Sequence, residues 1–327
     1  MTRVLVTGAG GFIGHHLVSF LKRRGDWVRG ADLVRPQYEA TGADQFLEID
    51  LRDAARAREA AEGVEHVYAL AADMGGMGYI SSHHARILHD NALINLNTLE
   101  AARAAGVSRY LYTSSACVYP EFKQMETAVT PLREEDAYPA QPQDAYGWEK
   151  LIAERLCAHY REDYGIETRI ARFHNIFGPL GTWRGGREKA PAAMCRKVAT
   201  AKLTGAREIE IWGDGEQTRS FCYVDDCLEG IARLMASGYR EPLNIGQDRL
   251  ISIDQLADIV CAIAGVSLGK RHVPGPQGVR GRNSDNSRLR RVLEWEPRIS
   301  LEDGLARTYA WIEAEVVRDL GAPTRYL

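Results

Sequence analysis

The sequence predicts an α/β protein: a doubly wound parallel sheet with a smaller C-terminal substrate-binding region. Short β-rich runs alternate with helical stretches through the first half of the chain. A glycine-rich turn joins the first β-rich run to the first helical one. Near residue 170 the alternation gives way to short pieces rich in Gly, Arg and Pro. Residues 1–170 are read as a nucleotide-binding domain of Rossmann type. Residues 171–327 are read as mainly substrate-binding, with some segments returning to the main sheet.

The elements follow in order. Arg3-Val4-Leu5-Val6-Thr7 is a strand, and the turn Gly8-Ala9-Gly10-Gly11-Phe12-Ile13-Gly14 leads into a helix from His15 to about Arg24. "DWVRGADL" and "DQFLEIDL" read as strands, "AARAREAAEG" as a helix and "HVYALAAD" as a strand. "NLNTLEAARAAG" reads as a helix, "RYLYTSSA" as a strand and "TRIARFHNIFG" as a strand and loop. A helix is expected to begin near Pro191, since proline suits a first helical turn.

Composition narrows the function. The 327 residues are 45% hydrophobic and 26% charged, with a net charge of −3, so no nucleic-acid partner is expected. There is no apolar run of the roughly eighteen residues that a membrane span needs. The chain leads directly into "RVLVTGAGGFIG" with no signal-peptide layout. The six cysteines, at 117, 157, 195, 222, 227 and 261, include no CxxC pair. They are expected as reduced thiols in a cytoplasmic protein, with no metal site.

The glycine turn points to a dinucleotide. Glycine lets the backbone turn sharply and approach a pyrophosphate held at a helix N-terminus. Gly8, Gly11, Phe12, Ile13 and Gly14 are taken as that cradle, with the spacing G-x-x-G-x-x-G. Asp32 ends the second strand, where a carboxylate accepts hydrogen bonds from an adenosine ribose and repels a 2′-phosphate. NAD is therefore expected over NADP, although Arg35 lies nearby. Asp50 and Leu51 end the third strand and are placed to meet the adenine edge. Asp50 reads equally as the N-cap of the next helix.

Tyr146 and Lys150 lie four apart at the start of a helix and so share a face. An ammonium beside a phenol favours the phenolate. Such a tyrosine takes a proton from a substrate hydroxyl while hydride leaves to NAD. Together with the glycine turn, Asp32 and the strand end at Ser115, the set resembles the extended short-chain dehydrogenase/reductase family of nucleotide-sugar epimerases and dehydratases. The resemblance implies that Ser115 helps Tyr146 bind the reacting oxygen.

Cys117 stands where a hydroxyl would pack as well. A C4 ketone acidifies the protons on C3 and C5 of a sugar, and epimerisation needs acid/base groups on both faces of the carbon. A thiol suits one face. Lys189, in the loop "GTWRGGREKAP", is offered for the other. The runs "AADMGGMGYISS", "SSACVYPEFKQ", "PAQPQDAYGWEK", "RFHNIFGPLGTWRGGREKAPAAMCRK", "WGDGEQTRSFCYVDDC" and "PGPQGVRGRNSDN" resemble, over about residues 3–315, the GDP-mannose 3,5-epimerases within that larger family. The resemblance implies Cys117 and Lys189 as the acid/base pair, with Tyr146 and Lys150 as the oxidising pair. It implies substrate contacts from Gly75, Ser115, Ala116, Cys117, Tyr146, Asn175, Glu188, Lys189, Ala190, Lys197, Gln217, Thr218, Arg219 and Arg282. It also implies a GDP-sugar substrate and a homodimer formed through the helix near 85–105 and the helix of Tyr146. Residues 200–210 and 264–271 depart from that pattern.

The basic set Arg184, Arg187, Lys197, Arg219, Arg280 and Arg282 suits a diphosphate, and one or two of the six are expected to be solvated surface charges. Dehydration, net dehydrogenation and non-catalytic NAD binding are the competing readings. Dehydratases of this fold carry an acidic residue beside the strand-end hydroxyl, whereas Ala116 and Cys117 stand here. The intact Ser115, Tyr146 and Lys150 set argues against a non-catalytic protein.

Overall fold

In β1 (Arg3–Thr7) successive side chains enter different cores. Val4 and Val6 pack with Leu17, Val18 and Leu111, while Leu5 packs with Ala57, Leu99 and Tyr112. Burial on both faces is what a parallel sheet between helical layers requires. The computed structural model describes residues 1–276 and 278–321.

The chain runs on through α1 (Phe12–Arg23), β2 (Trp27–Asp32), β3 (Gln45–Glu48), α2 (Ala54–Ala61), β4 (His66–Ala69), α3 (Met77–Ile80) and α4 (His84–Ala104). Then come β5 (Arg109–Ser115), α5 (Ala145–Tyr164), β6 (Glu167–Phe173), β7 (Ile176–Phe177), α6 (Ala190–Thr204), β8 (Glu208–Trp212), β9 (Thr218–Arg219) and β10 (Cys222–Tyr223). The described part ends with α7 (Val224–Ala236), β11 (Pro242–Ile245), β12 (Ile251–Ser252), α8 (Ile253–Ala264), β13 (Gly269–Val273), β14 (Gly281–Arg282), α9 (Ser287–Leu293) and α10 (Leu301–Gly321).

Seven strands form the main sheet in the order β11-β6-β5-β4-β1-β2-β3, all parallel. The order reverses between β1 and β4, so their carboxyl ends open a crevice for a ligand. Helices α2, α4 and α5 pack together on one face, and α1 and α7 pack against each other on the other. β11 joins the main sheet beside β6 from the C-terminal half of the chain. The rest of that half packs α6, α8 and α10 together, with small sheets β8–β13 and β12-β9-β14.

Two helix starts differ from the expectation. α1 begins at Phe12 because Gly11, extended at φ −82° and ψ 173°, serves as its N-cap. α4 begins at His84, well before the run "NLNTLEAARAAG" though in line with the helix near 85–105 that the resemblance implies, and it buries the polar residues Asp90, Asn91 and Asn95. Among the described residues no helix is long and apolar enough to cross a membrane.

One buried ion pair fastens α5 to the sheet. Arg172 donates to Glu154 through Nε at 2.9 Å and Nη2 at 2.7 Å. Ser114 donates to the same carboxylate at 2.5 Å, and Arg172 also reaches the Glu134 carbonyl at 2.7 Å. Both charges are at most 4% exposed, so removing one leaves the other unpaired in a dry site. Glu154→Leu should therefore destabilise the fold by about 3–5 kcal/mol. Pairing it with Arg172→Met should restore most of the loss, read as midpoints of urea unfolding.

Candidate active site

The crevice is a cavity of about 870 Å³, bounded by the glycine turn, the ends of β2, β4 and β5, the start of α5 and the loop before α6. Its floor is backbone. Gly8 takes φ +69°, and a Cβ there would stand 2.9 Å from Ala71 N. A Cβ at Gly14 would stand 2.0 Å from the Gly8 carbonyl, so helix and strand can meet only without one. The amino end of α1 lines the cavity and has no side-chain cap at Gly11, which leaves it suited to a pyrophosphate.

Asp32 stands at the end of β2 and accepts from Gly10 N at 2.9 Å. Burial raises its carboxyl above the ordinary range, and backbone N–H groups from Gly10 to Val34 work against that rise. Arg35, the residue that could have welcomed a 2′-phosphate, donates instead to Glu48 at 2.6 Å. Asp50 and Leu51 line the same end of the cavity. Asp50 is not the helix cap: Asp53 caps α2 by accepting from Ala55 N at 2.7 Å. Asp50 is instead held by Arg52 at 2.7 Å, which keeps its carboxyl below the ordinary range.

At the other end β5 delivers Ser115 and Cys117. Ser115 Oγ accepts from Cys117 N at 3.1 Å, and Ser115 acts to lower the pKa of the Tyr146 phenol. Lys150 donates to the Thr113 carbonyl at 3.1 Å, and its ammonium lies 5.4 Å from the centre of the Tyr146 ring. The expected lowering of the phenol pKa by Lys150 is not what this arrangement gives. Burial pushes Tyr146 well above its ordinary value, helped by Cys117 and the Glu149 and Asp144 carboxylates, with Ser115 opposing.

Cys117 is half-buried, while the other five cysteines are buried. Arg282 donates to its sulfur at 3.3 Å and to Gln124 Oε1 at 2.6 Å. Lys189, the N-cap residue of α6, opens onto the cavity. Desolvation by the surrounding protein lowers its ammonium below the ordinary lysine value, and Cys117 is near enough to oppose that electrostatically. Arg219, a few residues before α7, is pushed down to about 9 by burial and then by the facing Arg282. Lys197 donates to the Glu210 carbonyl at 2.6 Å, beside the Trp212 ring.

Every cofactor and catalytic residue expected from the sequence lines this one cavity, as do Gly75, Ala116, Asn175, Glu188, Ala190, Lys197, Gln217, Arg219 and Arg282. Thr218 does not line it, because its hydroxyl donates away to the Thr127 carbonyl at 2.6 Å. Of the basic set, Arg184 pairs with Asp319 and Arg280 pairs with Asp214 at 2.7 Å, both outside the cavity. Sequence reasoning missed Gln124, which is fully buried and holds Arg282, and Trp212 on the cavity wall. Gln124 closes the quoted run "SSACVYPEFKQ", yet nothing local marks it as a partner of residue 282. Among the described residues no cluster could hold a metal ion.

The family model for the NAD dependent epimerase/dehydratase family matches residues 4–246. The chain belongs to that family. It is 50% identical over 319 residues to the GDP-mannose 3,5-epimerase of Arabidopsis thaliana, covering 97% of this chain and 84% of that one. It superposes on the UDP-glucose 4-epimerase of Thermotoga maritima, solved with UDP-glucose, with a TM-score of 0.85 at 26% identity over 96% of this chain and 99% of that one. The UDP-glucuronic acid 4-epimerase of Bacillus cereus, in complex with UDP-glucuronic acid and NAD, gives 0.80 at 26% identity over 96% and 99%. NAD is the cofactor of this family member, and the glycine floor, Asp32 and the occupied Arg35 fit it.

Asp32 borders the cavity at the end of β2, and Arg35 is occupied by Glu48. In a binding titration NAD should bind at least about tenfold more tightly than NADP, since a 2′-phosphate would meet an unneutralised carboxylate. Asp32→Ala should narrow that gap.

Proposed function

We propose that this enzyme epimerises GDP-mannose at C3 and C5 through a transient 4-ketone, giving GDP-L-galactose, GDP-L-gulose or both. The observation that carries the reading is the convergence of Cys117 and Lys189, from separate elements, on the space that Ser115 and Tyr146 line. The relatives at 50% identity carry the same substrate in their names.

Gly8, Gly11, Phe12, Ile13, Gly14, Asp32, Asp50 and Leu51 would hold NAD, with Tyr146 and Lys150 at its reacting end. When bound, NAD supplies the hydride acceptor that makes a sugar alcohol a ketone, and the same hydride is returned at the end. Tyr146 receives the proton of the C4 hydroxyl, with Ser115 bonded to the same oxygen and working against the burial that raises the phenol. Lys150 is fixed by Thr113 and holds a positive charge beside that ring. Cys117 and Lys189 then exchange protons with C3 and C5, and the lowered ammonium of Lys189 lets it act as a base nearer neutral pH. Arg219 and Arg282 are register partners on the adjacent strands β9 and β14, and a diphosphate would relieve the repulsion between them. Lys197, Gln217 and Asn175 are assigned to the rest of the nucleotide sugar.

The reading is tested in deuterated water with GDP-mannose, following deuterium at C3 and C5 and transient NADH absorbance. Cys117→Ser and Lys189→Arg should each lower exchange by about 10²–10⁴-fold while hydride transfer persists. A serine hydroxyl is too weak without a dedicated activator, and a guanidinium cannot release its proton. Tyr146→Phe should abolish both signals. Full exchange in Cys117→Ser would return Cys117 to a packing role.

We also assign the enzyme to the cytoplasm as a homodimer. Leu88 and Leu96 on α4 and Trp148 and Ile152 on α5 are 39–61% exposed on neighbouring helices. Such an apolar patch on two packed helices is suited to the same patch of a second copy. Light scattering at micromolar concentration should give a dimer, and Ile152→Glu should give a monomer.

A further inference from the structure

Lys189 sits at the end of a loop that has little reason to hold still. Gly185 and Gly186 precede it with φ of +89° and +82°, and both are exposed. General acid–base work needs the ammonium fixed to a fraction of an ångström. Glu188 supplies one restraint, accepting from Gly186 N at 2.7 Å and from Arg196 at 2.9 Å.

A second restraint comes from the segment between β4 and α4. Gly76 N donates to the Arg187 carbonyl at 2.9 Å. The approach is so close that a Cβ at Gly76 would stand 2.6 Å from the Glu188 carbonyl oxygen. The Arg187 guanidinium lies 3.7 Å from the centre of the Tyr79 ring, and His83 stacks on that ring at 4.3 Å. Tyr79 donates its hydroxyl to both Asp73 oxygens, at 3.0 and 2.8 Å, and Arg187 pairs with the same carboxylate at 3.6 Å. Asp73 is itself pinned: its N–H donates to Asn91 Oδ1 at 2.6 Å, and its carbonyl accepts from Asn91 Nδ2 at 3.1 Å. Asn91 donates in turn to Glu149, the residue before Lys150, at 3.2 Å. A continuous chain of contacts thus runs from α5 to the residue two before Lys189.

We propose that Tyr79, Asp73 and Arg187 form a latch that sets Lys189 at the carbon being epimerised, with Tyr79 as its positioning residue. Tyr79 does not line the cavity, so its loss removes no contact to substrate or cofactor. The assignment rests on the reaction proposed above. It adds that the proton-transfer half of the site is held by the hydride-transfer half through Tyr79, which lines no part of the cavity that Asp73 and Arg187 border.

The test is Tyr79→Leu in the full chain with NAD bound, mixed with GDP-mannose in deuterated water. Leucine keeps the Cβ that packs on Gly75 and removes the ring and hydroxyl. Deuterium exchange should fall about tenfold to a hundredfold, as a misplacement near 1 Å does, while transient NADH formation and KM stay within about twofold to threefold. Tyr79→Phe keeps the ring under the guanidinium and loses only the bonds to Asp73. It should lose about threefold, and it decides the matter should Tyr79→Leu fail to fold. Unchanged exchange in both variants overturns the latch, as does a parallel fall of exchange and hydride transfer. Wild-type enzyme that forms NADH without exchange at either carbon overturns the proposed reaction instead.

Discussion

A carboxylate buried away from water must be paired, and two of them decide where α5 lies. Glu149 and Glu154 are 2% and 4% exposed. Glu154 is held by Arg172 of β6 and Ser114 of β5. Glu149 accepts from Asn95 and Asn91 of α4 and from Tyr112 of β5 at 3.2 Å. Each bond would be costly to break, because an unpaired charge there has no water to turn to. Together they leave α5 one position against the sheet and α4. Tyr146 and Lys150 ride on that helix, so the pair proposed for oxidation takes its place from charges that do not line the cavity.

The parts of the site that lie within one strand–turn–helix step were legible in the sequence. The glycine turn, Asp32 and the spacing of Tyr146 and Lys150 each carry their reason locally, in a backbone approach, a strand end and a helical face. What escaped depends on chain brought from far away. Arg282 meets Cys117 and Gln124 across 165 and 158 residues, and no local pattern announces such a pair. Asp50 and Asp53 are both plausible caps by spacing, and only the backbone at Asp53, extended with its oxygen on Ala55 N, decides between them. The direction of the Tyr146 shift was missed because a motif shows the lysine and hides the burial. Thr218 faces away because the pairing of β9 with β12 and β14 turns its hydroxyl to Thr127.

The cavity is electrically polar along its length. Asp32 and Asp50 stand at the end by the glycine turn, proposed for the ribose and adenine of the cofactor. Arg219, Arg282 and Lys197 line the end proposed for the diphosphate of the substrate. Burial and the neighbouring Arg282 make the charge of Arg219 harder to hold. An arrangement that strained is stable because backbone carbonyls of Thr218 and Val279 take hydrogen bonds from Arg219, at 2.7 and 2.6 Å. Two fixed cations in a partly desolvated wall favour a dianion over a neutral sugar.

The residues proposed for hydride transfer and those proposed for proton transfer are mounted differently. Ser115, Tyr146 and Lys150 sit on β5 and α5, whose burial and paired charges permit little movement. Cys117 and Lys189 sit just beyond regular structure, in a 3₁₀ turn and at the head of α6. Solved epimerases with UDP-sugars share the fold at TM-scores of 0.80 and 0.85 but only 26% identity. A scaffold that oxidises a sugar alcohol can thus stay fixed while the fate of the ketone is set by what the loops present. The demand on those loops is stricter than on most surface loops, since a carbon acid yields its proton only to a base in line with it. Contacts from Asn91 through Asp73 and Tyr79 to Arg187 tie the loop before α6 back to α4 and α5, which is the restraint that the proposed latch supplies.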